Sequence, residues 1–413
     1  MPTMLRLPEH LPPRLSLCCY IWAWIAAAGR GEPYGDLEAA CAGLAPRGFN
    51  CVRIDAGLNW CFTLDGKPRG EVEFGPWIAG HGQNLRTVGQ ARGCRLNVLE
   101  RVLRLLELAR RRDFFVILTS WEYQDSTWHV ADPALRAEVM AYPRRDRFML
   151  MARQHDRLLT AIKREGLQDR IAFVEVHNEP EYSEFPQGPE GVAQHTEAIA
   201  FLRERHPDLL ICGDFASHNP EIVAENSQVY DQHIYSGYAL AGEFYAQTIR
   251  HPDFDPHDPR ALPLVDWLLK PDFTPWDEYM VPAQNIRESW RAIHWLYDNL
   301  DNDRYDYWWF LHFGEYEPRI KQTAEETFAA DAAEAGRRGL PQVLDEGGFF
   351  YPPLGSRFDE SAAGRLYFEY LGDLAAEHGY WGFMPTTYCG PEQPIWQENP
   401  EWLAKVNGRF LNS

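Results

Sequence analysis

IAFVEVHNEP, Ile171 to Pro180, is the stretch whose reading decides the fold. Its first six residues, Ile171 to Val176, are a mostly apolar run of strand length. β-Branched and aromatic members suit such a run to a buried strand. Pro180 has no backbone donor and stops the ladder. Asn178 and Glu179 are therefore carried at the carboxyl end of a core strand. Parallel α/β folds build their sites on that edge. Taken alone, a glutamate before a proline is as readily a solvated loop residue, so the reading depends on what the rest of the chain repeats.

It repeats the pattern. Short apolar runs alternate with amphipathic ones, which implies parallel strands joined by helical crossovers. Strands are expected at Leu15–Trp22, Phe49–Asp55, Phe114–Ser120, the opening stretch, Leu209–Asp214, Val229–Tyr235, Pro341–Asp345 and Tyr380–Pro385. Helices are expected at Asp36–Arg47, after the cap Asn97, and at Arg147–Glu165 and Glu190–Arg205. Further helices are expected at Asn285–Asn299, Lys321–Arg338 and Glu360–His378, with a short one opening at Asn219-Pro220. Eight strands, each followed by a helix or long loop, predict an α/β fold of (β/α)8 (TIM) barrel type. The rival is an open doubly wound sheet, but no GxGxxG follows any strand. Residues 1–413 read as a single catalytic barrel domain. It has an irregular loop from about 56 to 96, an excursion at about 236–284 and a polar tail from about 388.

The chain carries 40 Lys and Arg against 60 Asp and Glu, a net charge of −20. That disfavours affinity for nucleic acid or anionic membrane, both of which need basic surface. No window approaches the ~20 apolar residues of a membrane span. The opening MPTMLRLPEHLPPRLSL lacks the apolar core of a signal peptide, so a cytoplasmic protein is expected. The 8 Cys form no CxxC pair and read as buried free thiols. The 15 Trp are a surplus that serves either core packing or stacking on sugar rings.

Glu179 ends the fourth strand and Glu346 the seventh. In a closed barrel those ends face each other across the top. Two carboxylates on either side of a sugar are what glycosidic cleavage requires: one protonates the leaving oxygen, the other attacks the anomeric carbon or activates water.

Four motifs in order strengthen this: GFNCVRID (48–55), HNEP (177–180), HIY (233–235) and Glu346 after the seventh strand. Together they resemble the clan A retaining glycoside hydrolases, the cellulase-like family 5 barrels. The resemblance implies Glu179 as general acid/base and Glu346 as nucleophile. It implies that Arg53 and Tyr235 hold the nucleophile ionised, and that Asn178 bonds the sugar 2-hydroxyl. His233 would help set the protonation of Glu179, whose pKa should be raised for acid work. Plainer readings are a structural ion pair for Arg53, a core histidine for His233 and aromatic packing for Tyr235. Trp22, Trp24 and Trp121, at the ends of the first and third strands, are expected to floor or wall the sugar site. His177 faces either the site or the barrel wall. Asp345 is expected to point away from Glu346, by strand alternation. The eighth strand, YWGFMPTTY, departs from the family: Met384-Pro385 stands where a sugar-supporting tryptophan is usual, and Trp396 of the tail is the candidate substitute.

The expected activity is a retaining glycoside hydrolase cleaving β-glycosidic bonds in oligosaccharides or glycosides by double displacement. The alternatives are an endo-acting β-glucanase or β-mannanase, or a sugar-binding barrel without turnover. Neither cofactor nor metal is expected, because His177 and His233 read as single histidines and not as metal-binding clusters.

Overall fold

The computed structural model describes residues 4–75, 81–82, 84–86, 92–124, 126–279 and 288–413. Eight parallel strands form the barrel: Leu15–Ile21, Cys51–Asp55, Phe115–Thr119, Ile171–Glu175, a fifth in two pieces, Tyr230–Gln232, Gln342–Leu344 and Gly382–Phe383. The first strand pairs with the second (Leu17 with Cys51) and with the eighth (Leu15 with Gly382). The fifth strand explains how the ring closes. Its piece Ile211–Cys212 pairs with the fourth strand, and its piece Asp214–Phe215 pairs with the sixth. Gly213 stands between the pieces, where a Cβ would meet the His195 ring at 2.2 Å.

Every residue of the first four strands is buried. Such strands carry continuous apolar runs, which is why the sequence pattern was legible. The crossover helices follow their caps. Asn97 caps Val98–Arg112, which buries Val102, Leu105 and Leu106, and Ser361 caps Ala362–Glu377.

Several elements differ from expectation. The helix after Asp36 stops at Ala42; Gly43 and Pro46 convert the rest to a 3-10 turn, Ala45–Arg47. Asn219-Pro220 makes turns and no helix. The helix expected at Lys321 instead begins at Asn302, capped by Asp301, and runs to Arg338. Pro318 lies inside it and removes one ladder bond without ending it. The expected loop before Asn97 includes an antiparallel hairpin, Glu71–Phe74 with Cys94–Asn97. The tail folds into helices Pro394–Glu398 and Pro400–Leu411. The excursion contributes helices Tyr238–Ala246 and Pro263–Leu268; its end, 280–284, lies outside the described residues, as do 285–287 of the following helix, which is described as Glu288–Asn299. All eight cysteines are free, and only Cys94 is not fully buried. Among the described residues, no helix is long and apolar enough to cross a membrane.

Candidate active site

The carboxyl ends of the strands converge on Arg53, which is fully buried. Its Nη1 donates to Glu346 Oε1 at 2.6 Å, and its Nη2 donates to Glu175 and Asp214 at 2.6 Å and to Asn178 Oδ1 at 2.7 Å. Nε pairs with Asp345 at 2.5 Å. Trp121 covers the guanidinium, 4.6 Å from ring centroid to Cζ. Burial pulls the Arg53 pKa down, but the surrounding carboxylates raise it well above its ordinary value, so it stays a cation.

Glu179 and Glu346 meet over this base. Carboxylate oxygens of the two lie within 4.8 Å of one another. Both oxygens of Glu346 are engaged, one by Arg53 and one by the Tyr235 hydroxyl at 2.5 Å. Glu179 Oε1 bonds His233 Nδ1 at 2.7 Å, and its Oε2 accepts from Gln124 Nε2 at 2.9 Å. Asn178 Nδ2 donates to the other end of the same Gln124 amide at 2.7 Å. Glu179 has φ +39, in the left-handed region. Pro180 disfavours the right-handed helical region for the residue before it. The strained backbone, of a kind that costs about 1–3 kcal/mol, aims the carboxyl at the cavity.

His233 is fully buried, with its Nε2 2.8 Å from Asp214 Oδ1 and 3.2 Å from Asp345 Oδ1. Burial lowers its pKa, but Asp214, Glu346 and Asp345 lift it well above the ordinary imidazole value. That charge sets the order of the glutamates. Burial raises Glu179, yet the His233 and Gln124 bonds outweigh it and leave the carboxyl below its ordinary value. Burial raises Glu346, His233 and Arg53 oppose that, Glu179 adds to the rise, and the net shift is upward. This corrects the expectation that Glu179 is the raised member. The sequence placed His233 near Glu179 but said nothing of the carboxylates that make it a cation.

Asp345 is also corrected. It reaches the same interior as Glu346, because the seventh strand ends at Leu344 and alternation no longer governs the next two residues. Burial raises Asp345, but Arg53 and His233 bring it down to about 2. Glu175 and Asp231 are driven well up, first by burial and then by their carboxylate neighbours. His177 and His233 stay single histidines, but His233, expected to lie outside any metal-binding cluster, sits among carboxylates. Glu179, His233 and Glu346 form one metal-capable trio, and Asp214, His233 and Asp345 another. In the first trio both glutamates have both oxygens committed to protein donors, and in the second Arg53 and His233 already supply positive charge.

Beside Glu179 opens a cavity of about 500 Å³, whose lining also includes Tyr235, the residue that bonds Glu346. Its wall is aromatic. Trp128 meets Trp290 at 6.4 Å, Trp290 meets Tyr351 at 4.8 Å, and Tyr351 meets Phe350 at 4.1 Å, all between ring centroids. Tyr182 and Tyr238 complete it. The expected aromatics sit elsewhere. Trp22 and Trp121 are buried behind the cavity, edge-on to each other at 5.7 Å. Trp24 is in the core, its indole donating to Asp55 O. Trp396 stacks on Phe49 and Arg47 near the amino end of the second strand, far from any platform role. Tyr388, beside Tyr351 and within the field of Glu346, occupies the region after the eighth strand. His177 is a wall residue against Phe185, with burial pulling its pKa down to about 3.

Residues 17–209 match a family model described as sugar-binding cellulase-like. That segment spans the first four strands and includes Arg53, Asn178 and Glu179; His233, Tyr235 and Glu346 lie beyond it. The barrel also has structural neighbours. A candidate glycoside hydrolase from Parabacteroides distasonis ATCC 8503 superposes with a TM-score of 0.69 at 16% identity, over 97% of this chain and 94% of that one. A glycoside hydrolase family 5 mannosidase from Rhizomucor miehei superposes with a TM-score of 0.50 at 11% identity, over 97% and 94%. At such identities the likeness is one of fold, the (β/α)8 barrel. No curated protein matches the sequence.

The sequence missed Glu175, Asp214 and Asp231, hidden inside apolar strand runs. It also missed Gln124 and the aromatic wall. A charged residue within a run otherwise fit for a buried strand was the available signal for the first group. The wall had none, because it is assembled from loops and helices far apart in the chain.

Proposed function

We propose that this protein is a retaining glycoside hydrolase that cleaves β-glycosidic bonds in oligosaccharides or glycosides. The observation that carries the reading is the approach of the Glu179 and Glu346 oxygens to within 4.8 Å. Retaining enzymes hold their carboxyl groups about 5–5.5 Å apart, whereas inverting ones need about 6.5–9.5 Å to admit a water. Glu346 is the nucleophile in this reading, because Arg53 and Tyr235 aim it and stabilise its charge. Glu179, which lines the cavity, is the acid/base. Its proton is shared along the 2.7 Å bond to His233. The leaving oxygen draws that proton through Glu179 as the glycosidic bond breaks. Once Glu346 is esterified its charge is gone, and Glu179 serves as base toward water. Asn178, held between Arg53 and Gln124, is placed for the 2-hydroxyl of the same sugar. The cavity is of a size that suits a short glycoside.

The test is Glu346→Ala on aryl β-glycosides. Turnover is expected to vanish, and azide to restore it with an α-glycosyl azide product. Wild-type turnover in this variant removes the nucleophile and the mechanism with it.

A further inference from the structure

Arg250 lines the same cavity as Glu179 and is exposed to it. A guanidinium has five N–H donors. One bond goes to the Tyr238 hydroxyl at 2.5 Å, a neutral partner. Among the described residues no carboxylate pairs with it. His218, which also lines the cavity, is by contrast paired with Asp331 at 2.9 Å.

The side chain is also aimed. Its Cζ lies 4.9 Å from the centroid of the Tyr245 ring. The Tyr245 hydroxyl meets that of Tyr297 at 2.8 Å, and Tyr297 in turn donates to Tyr351 O at 2.6 Å. A stacked and tethered guanidinium has given up much of its rotamer freedom before a ligand arrives. From Arg250 to the nucleophile the path runs Tyr238, Phe350, Tyr235, Glu346, with ring separations of 5.0 and 5.8 Å. Three rings separate the charge from the reacting centre, so it serves a neighbouring sugar and not the one being cleaved.

We propose that Arg250 is a specificity residue that binds an anionic substituent, a carboxylate or a phosphate, on the sugar next to the scissile bond. The proposal rests on the reading of the cavity as a glycoside site. Both groups are compact oxyanions that accept charge-assisted bonds from a guanidinium fork.

The experiment measures binding with thio-linked β-1,4 gluco- and manno-disaccharides, which are not cleaved. Each is used in three forms: neutral, with the reducing-side C6 oxidised to a carboxylate, and phosphorylated at that C6. The expected result is that at least one acidic form binds the wild type about ten- to a hundred-fold more tightly than the neutral form, the gain typical of a hydrogen bond to a charged group. That preference collapses in Arg250→Gln at unchanged melting temperature. Arg250→Lys separates the sources: a phosphate is still held by a point charge, whereas a carboxylate recognised by two parallel bonds is lost. If neither acidic form binds better than the neutral one, or if the preference survives Arg250→Gln, the proposal is overturned. The azide test reads Glu346 and is blind to Arg250, so the two failures are told apart.

Discussion

Replacing Arg53 by Met should destabilise the protein more than any exposed substitution, and more at neutral than at acid pH. Methionine matches the length of the stem but leaves Glu175, Asp214, Asp345 and Glu346 without the cation that bonds all four. Breaking a buried ion pair by removing one partner costs about 3–5 kcal/mol. For 413 residues, at about 2.1 cal/mol/K per residue, the unfolding entropy is near 0.9 kcal/mol/K, so the loss corresponds to about 3–6 °C in melting temperature. The pH dependence follows from Asp345, which Arg53 and His233 hold down to about 2 against the effect of burial. A depressed carboxyl contributes stability above its unfolded value, near 3.9, and loses it as pH falls toward 2. Removing Arg53 deletes part of that contribution. It also pushes Glu175 and Glu346, already raised, further up, which penalises the variant increasingly as pH rises. The gap between wild type and Arg53→Met should therefore be widest near pH 8 and narrow below about pH 4. Urea unfolding at pH 4, 6 and 8, followed by near-UV circular dichroism, measures it. A loss below about 1 kcal/mol, the scale of a surface pair, or a gap independent of pH, would refute the picture of one cation holding the barrel mouth together.

Other expectations concern single positions. Glu179→Gln should slow glycosides with poor leaving groups far more than aryl glycosides with good ones, because only the former need a proton; equal loss on both would contradict the acid role. Asp55 and Glu122 are both buried; burial raises Asp55 to about 6, and burial together with the Asp55 charge raises Glu122 well above its ordinary value. Raised carboxyls lose stability as pH climbs through their folded values, so Glu122→Gln should gain on the wild type between pH 5 and 8, by on the order of 1–2 kcal/mol, in urea titrations. Trp290→Ala removes a central ring of the cavity wall; KM should rise about 2- to 10-fold with kcat little changed, and an unaltered KM would place the sugar elsewhere.

What was legible in the sequence was local. Period and composition of the apolar runs located all eight strands, since a buried parallel strand has no polar face to hide. Pro180 after Glu179 and the end of the apolar run before Glu346 showed where two carboxylates leave their strands. Helix bounds were less legible at Asp301, whose cap starts the long helix well before Lys321, because Pro318 reads as a stop. The distance between Glu179 and Glu346 came only from closure, through a fifth strand divided at Gly213 to serve two neighbours. Closure also turned Glu175, Asp214 and Asp345 onto Arg53 and made His233 a cation. Which glutamate sits lower in pKa is a property of that assembled field, and no spacing along the chain encodes it. The aromatic wall and Arg250 likewise come from loops and helices brought together across the barrel mouth. Hydrophobic period and turn chemistry act over a few residues and are written in order; an electrostatic field sums over neighbours in space, and exists only once the chain has folded.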